Sequence, residues 1–178
     1  AAVLCRQAPE ARKTEPAPPQ PGAVLAFSFT VNRDVWEDTN YGEPPQIAVW
    51  LESADTIRTV WVTRRTAKGL WKGKVLCPTS LPYWVSRYRL QTGKGPPTRR
   101  DPLPDALTGA TPDGAYLLET RVPPGSRWTF FIEVNVSGDY NDWYPEALSN
   151  GTPDPDGNGQ PSVVYRGTIA AEDGEEAS

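Results

Sequence analysis

The chain has 178 residues, 18 lysines and arginines against 22 aspartates and glutamates for a net charge of −4, two cysteines and no histidine. That length supports one domain with a full core and leaves too little for two large ones. Without histidine there is no Ser-His-Asp or Cys-His catalysis, no histidine-ligated zinc or haem iron and no imidazole base, and two cysteines cannot supply a tetrathiolate or iron–sulfur centre.

The sequence contains no methionine, and its opening AAVL resembles what an apolar segment ending in small residues leaves when a signal peptide or anchor is removed, so an exported protein is expected. Residues 1–22 read as a disordered, proline-rich linker, typified by RQAPEARKTEPAPPQPG over 6–22. Cys5 in this linker and Cys77 further on leave three fates open: a Cys5–Cys77 disulfide, a free thiol, or a lipid on Cys5, before which Leu4 is a poor residue.

A domain is expected over 23–170. AVLAFSFTV (23–31) sets Leu25, Phe27, Phe29 and Val31 on one face, the period of a half-buried strand. QIAVWLE (46–52) and TIRTVWVT (56–63) are separated by Ser-Ala-Asp and read as a hairpin, with Trp50 and Trp61 in the core. LPYWVSRYRL (81–90) spaces Leu81, Trp84, Val85 and Tyr88 by threes and fours, the pattern of a short helix. A long polar and prolyl loop, 91–104, comes next. AYLLETRV (115–122) and RWTFFIEVNV (127–136) are strands joined by Pro-Pro-Gly-Ser, SVVYRGTIA (162–170) closes the domain, and residues 171–178 form an acidic disordered tail.

Six strands punctuated by turn clusters, with no alternating helical pattern, predict an all-β fold: an immunoglobulin-like antiparallel β-sandwich with long loops and at most one short helix, a barrel being the alternative. No stretch reaches the roughly 18 to 20 apolar residues of a membrane span. No basic run exceeds the pairs Arg64-Arg65 and Arg99-Arg100, so nucleic acid is not an expected partner.

DALTGATPDGAY, 105–116, leads into one of the strands. Its Pro-Asp-Gly is a strong turn former, and on that ground alone the segment is a loop. Asp105-Ala106-Leu107-Thr108-Gly109-Ala110-Thr111 also reads D-x-x-[S/T]-G-A-T, and resembles the motif by which a bacterial flavin transferase recognises its targets, as in the FMN-carrying subunits of sodium-pumping NADH:quinone reductase and related complexes. The resemblance implies FMN esterified through its phosphate to Thr111. Asp105 is then a recognition residue near the transferase's magnesium, and Thr108 fills a small hydroxyl slot. Gly109 and Ala110 keep the backbone slim enough to enter the enzyme's cleft.

A second resemblance covers about residues 23–170. The order IAVWLE, LPYWVSR, TGAT-PDGAY, FFIEVNVSGDYN, NGQPSVVYRGTI is similar to a family of predicted periplasmic bacterial proteins of unknown function that occur with flavinylation and haem-linked redox systems. Leu118-Glu119 stands where that family carries a tryptophan-aspartate pair. Together the resemblances imply an electron carrier rather than a stand-alone enzyme, with a flavin transferase and extracytoplasmic or membrane redox proteins as its partners.

Three further constellations are candidates. DPDGNG (154–159) places Asp154, Asp156 and Asn158 at alternate positions like the start of a calcium loop, although Tyr165 occupies the twelfth position and Asp139, Asp142 or Glu146 would have to complete the site. Trp36, Tyr41, Tyr140, Trp143 and Tyr144 fall in expected loops and could form a platform for a flavin ring, a sugar or a protein. They carry the alternative function, a non-redox binding or assembly module for protein or carbohydrate. Glu133, Asp139 and Glu146 are the acids from which a hydrolytic pair would have to be drawn, though nothing in the sequence fixes their separation.

Overall fold

The computed structural model describes residues 22–37, 44–70, 80–136, 138–154 and 157–172. Cys5, Cys77, Tyr41, Asp156, nearly all of the expected linker and the tail from 173 lie outside the described residues. The elements are β1 (Ala23–Val31), α1 (Arg33–Glu37), β2 (Gln46–Glu52), β3 (Ile57–Thr63), α2 (Arg64–Ala67), α3 (Pro82–Thr92), a 3-10 turn (Asp105–Leu107), β4 (Thr108–Gly109), β5 (Gly114–Val122), β6 (Arg127–Asn135) and β7 (Val163–Ala170).

The fold is an all-β sandwich of two sheets. β1 and β5 form a two-stranded layer, paired from Ala23 with Val122 to Val31 with Gly114, over a five-stranded sheet of order β4-β3-β2-β6-β7. Seven strands match the count of an immunoglobulin constant domain, but they divide two and five rather than three and four. Two details depart from the sequence expectation. The large sheet is not wholly antiparallel, since β4 runs parallel to β3, pairing Val62 with Thr108 and Thr63 with Gly109. Among the described residues three α-helices stand in place of one; α3 is the expected helix, while α1 and α2 span 5 and 4 residues, too short for a helical period to register.

β2 explains the layering. Ile47, Val49 and Leu51 face the β1–β5 ribbon, in a core with Leu25, Phe27, Trp61, Val122 and Trp128. Ala48 and Trp50 point the other way, into a second core with Leu81, Trp84, Val85, Tyr88 and Phe131 beneath α3. A strand covered on both faces needs a continuous apolar run, which IAVWL supplies. Trp50 stacks on Phe131 with centroids 5.0 Å apart and planes 4° from parallel.

α3 begins at Pro82, presents Leu81, Trp84, Val85 and Tyr88 to the sheet and stops at Gly93, whose φ of 70° suits glycine. It has no acidic residue in its first turn, and β6 provides one. The buried Glu133 carboxylate accepts hydrogen bonds from the backbone N–H of Tyr83 at 3.1 Å and of Trp84 at 2.6 Å, and from Ser162 Oγ at 2.6 Å. The helix dipole and free N–H groups reward a negative group at this place. Further along, Arg87 holds Glu52 at both carboxylate oxygens, and Trp50 Nε1 donates to Glu52 Oε1 at 2.8 Å.

Two strands cannot cover five. On the ribbon side, Tyr165 pairs across from Ile132 and Val163 from Val134, yet Tyr165 is 59% and Val163 55% exposed. Among the described residues no helix is long and apolar enough to cross a membrane.

Candidate functional site

The pairings Gln46 with Asn135, Ala48 with Val62, Val31 with Gly114 and Val134 with Val163 bring the starts of β2, β5 and β7 and the ends of β1, β3 and β6 to one end of the sandwich. A buried polar knot secures it. Thr63 Oγ1 and Thr66 Oγ1 both donate to Gln46 Oε1, at 3.1 and 2.9 Å, and Ile47 N donates to Thr63 Oγ1 at 3.1 Å. Residues 105–111 are laid along this end by β4.

Asp105 opens the 3-10 turn and meets Lys68 Nζ at 2.6 Å, although its side chain is 94% exposed. The Lys68 hydrogen bond and charge hold this carboxyl below its ordinary range, with a smaller contribution from Arg64. Lys68 also donates to the Leu103 carbonyl at 2.8 Å, tying the preceding loop to α2. Thr108 Oγ1 closes the turn by donating to the Asp105 carbonyl at 3.2 Å. Gly109 lies against the Trp61 indole, and Ala110 is exposed. Thr111 is half-buried, and its hydroxyl donates to the Pro45 carbonyl at 3.2 Å. The seven residues of the motif thus form one continuous segment that ends in a hydroxyl with the Pro45 carbonyl as an acceptor 3.2 Å away.

Pro45 also lines an apolar cavity of about 470 Å³, whose other walls include Phe29, Val31, Trp36, Ile132 and Tyr165. This is the part of the sandwich the ribbon leaves open. Arg33 straps its rim: the guanidinium donates to Glu37 at 2.6 Å and to Asp113 at 3.0 Å, and lies 5.7 Å from the Trp36 ring centroid. Asp113 stands two residues beyond Thr111. A flat aromatic ligand finds apolar walls and three aromatic side chains here, within the size range of small-molecule pockets. Another cavity, of about 490 Å³ and lined by Glu52, Arg127, Thr129, Arg166 and Thr168, lies at the opposite end of the sheet.

The other candidates fare differently. Asp154 Oδ2 accepts the Gly159 N–H at 3.1 Å, Asn158 is buried, and Asp139 Oδ2 accepts Gln160 Nε2 at 2.6 Å, so these groups close the 138–160 loop; Asp156 lies outside the described residues. Among the described residues no three or more Asp, Glu, Cys or His side chains gather as a metal site would require. Glu133 is committed to α3 and is therefore not available to an acid pair with Asp139 or Glu146. The aromatic platform is divided: Trp36 lines the cavity, whereas Trp143, 88% exposed, and Tyr144 stand on a loop where Asn141 Oδ1 accepts both of their N–H groups at 2.9 Å. Trp50 and Trp61 are core residues, as expected.

Pro45, Lys68 and Tyr165 were not legible as site residues. Only tertiary pairing joins them to the motif; the sequence traces of the cavity are Trp36, expected as part of an aromatic platform, and the apolar run Val163-Val164-Tyr165 on an edge strand. No protein-family model matches the chain, no curated protein matches it and no solved structure matches it.

Proposed function

We propose that this protein is an exported redox carrier that holds FMN through a phosphoester on Thr111. One observation carries the reading: the half-buried threonine ending the D-x-x-T-G-A-T string donates its hydroxyl to the carbonyl of Pro45, one of the residues that line an apolar cavity with aromatic walls. In loading, the Thr111 hydroxyl attacks the FMN-side phosphorus of FAD, the diphosphate P–O bond breaks, AMP departs and the hydroxyl proton passes to the transferase. The Pro45 carbonyl keeps the hydroxyl oriented before loading. Phe29, Trp36 and Tyr165, which line the cavity, would hold the ring system of the attached group. A bound flavin supplies one- and two-electron transfer; the protein supplies position and polarity. Partners in this reading are the flavin transferase and extracytoplasmic or membrane electron donors and acceptors.

Co-expression with a flavin transferase tests it. A yellow protein carrying the mass of one FMN, with the addition lost in Thr111→Ala, is expected; a colourless, unmodified product from a folded chain overturns it.

A second reading has its own observation. Trp143 stands almost wholly in solvent on a turn fixed by Asn141, which suits a non-redox module recognising protein or carbohydrate. Glycan-array or pull-down binding that Trp143→Ala abolishes while Thr111→Ala leaves it intact would favour this alternative.

A further inference from the structure

A second concavity adjoins the Thr111 segment on the α2 side. It measures about 750 Å³ and is lined by Arg64, Arg65, Lys68, Leu70, Arg99 and Pro102. Among the described residues four of the six that line it are cations and none is an acid, in a chain whose net charge is −4. Like charges gathered around one hollow favour an anion of two or more charges there.

The arrangement is built, not a chance of long side chains on a surface. Arg64 and Arg65 begin α2, which follows β3 without a break. Arg99 comes from a distant loop, and that loop is locked onto α2. Leu103 N donates to the Ala67 carbonyl at 2.8 Å, and Lys68 Nζ to the Leu103 carbonyl at 2.8 Å. Gly69 has a φ of 58°, and a Cβ placed on it would stand 2.5 Å from Thr98 Cα, so the loop backbone sits directly on the glycine. The turn that carries Arg99 is closed in both directions, by Thr98 N to the Asp101 carbonyl at 3.1 Å and Asp101 N to Thr98 Oγ1 at 3.0 Å. The guanidinium groups therefore have fixed roots on two elements that cannot separate without breaking backbone hydrogen bonds.

Asp105, paired with Lys68 yet 94% exposed, sits at the rim and leaves the hollow open. We propose that this pocket binds a compact phosphate or diphosphate, Arg64 and Arg99 supplying forked N–H donors and Lys68 a point charge, with the Asp105 carboxylate as an internal competitor for Lys68. Guanidinium forks match phosphate oxygens two at a time, and an ammonium adds charge without demanding a direction. The proposal does not rest on flavin loading. The same chemistry is offered by a free phosphate and by a lipid headgroup; a hollow closed on one side by α2 and on the other by the 97–103 loop favours the free ligand.

The test is calorimetric titration of the full chain in a Thr111→Ala background, which removes any bound flavin phosphate, with inorganic phosphate and pyrophosphate at constant ionic strength. Pyrophosphate is expected to bind at least five-fold more tightly than phosphate. The double variant R64Q/R99Q should weaken it at least ten-fold, and Asp105→Asn should tighten it several-fold by releasing Lys68. Lys94→Gln, which removes a cation paired with Asp101 outside the pocket, should change nothing. Circular dichroism of each variant checks folding. No heat with pyrophosphate at millimolar concentration, equal affinity in R64Q/R99Q, or weaker binding in Asp105→Asn overturns the proposal, as does binding confined to phosphatidylglycerol vesicles.

Discussion

Gly109 and Trp61 are in contact so close that a side chain on the glycine has nowhere to go: a Cβ built there would lie 2.5 Å from Trp61 Nε1 and 3.0 Å from Cε2. The glycine of the D-x-x-T-G-A-T string is thus also the residue that lets β4 lie on the core tryptophan. Gly109→Ala should cost about 1–3 kcal/mol, the usual penalty of forcing a methyl into a packed site, read as a lowered urea midpoint at unchanged slope. Ala110→Val, at the exposed neighbour, should stay within about 0.5 kcal/mol. Any loss of loading in Ala110→Val then reports the transferase and not the fold.

Thr111 separates chemistry from stability. Thr111→Ala removes one partly buried hydrogen bond to Pro45, worth about 0.5–1.5 kcal/mol, and should abolish FMN attachment outright. Thr111→Ser keeps the hydroxyl and should still be loaded. Intact mass of the three proteins after co-expression decides the matter.

Glu133 should make stability depend on pH in an unusual direction for a carboxylate. Burial pushes its carboxyl above the ordinary 4.5, while the Ser162, Trp84 and Tyr83 hydrogen bonds pull less strongly the other way. The folded chain therefore holds this proton more tightly than the unfolded chain. Its contribution is complete below pH 4.5 and is lost as pH rises through the raised value. Glu133→Gln should remove this segment of the pH profile, giving urea midpoints flatter from pH 4.5 upward than those of the wild type.

Glu52 has the opposite sign. Burial pushes its carboxyl up, but the Arg87 hydrogen bond, the Trp50 N–H and the charges of Arg87 and Arg166 together outweigh it and leave the carboxyl below 4.5. Its contribution is present above pH 4.5 and is lost as pH falls through the lowered value. Arg87→Ala breaks a two-point, partly buried pair and leaves Glu52 with only the Trp50 donor, a loss of about 1.5–3 kcal/mol at pH 7. That loss should shrink in acid, where Glu52 is protonated. An unchanged difference at pH 3 would argue that Arg87 acts by packing alone.

The strands were readable because their signals are local: Leu25, Phe27 and Phe29 alternate, Ser-Ala-Asp and Pro-Pro-Gly-Ser punctuate, and the spacing of Leu81, Trp84, Val85 and Tyr88 is helical. β4 was not readable. Two residues have no period, and its parallel pairing with β3 joins positions more than forty apart. The same limit hid the site. Thr111 is singled out in the sequence by the resemblance of its string, but Pro45, which accepts its hydroxyl, and Tyr165, which walls the cavity, are related to it only through the order of strands in the sheet. Glu133 looked like a candidate acid for the same reason, since its pairing with the α3 amides is a tertiary event.

The segment that carries Thr111 joins its sheet through the two paired residues of β4, at the edge. Detaching it would leave β3-β2-β6-β7 and both cores intact, so the opening cost is that of a local event of a few kcal/mol and not of global unfolding. Amide exchange at 108–111 should consequently outrun that of β2 by orders of magnitude, and an enzyme that must grip residues 105–111 in extended form can do so while the rest of the molecule stays folded.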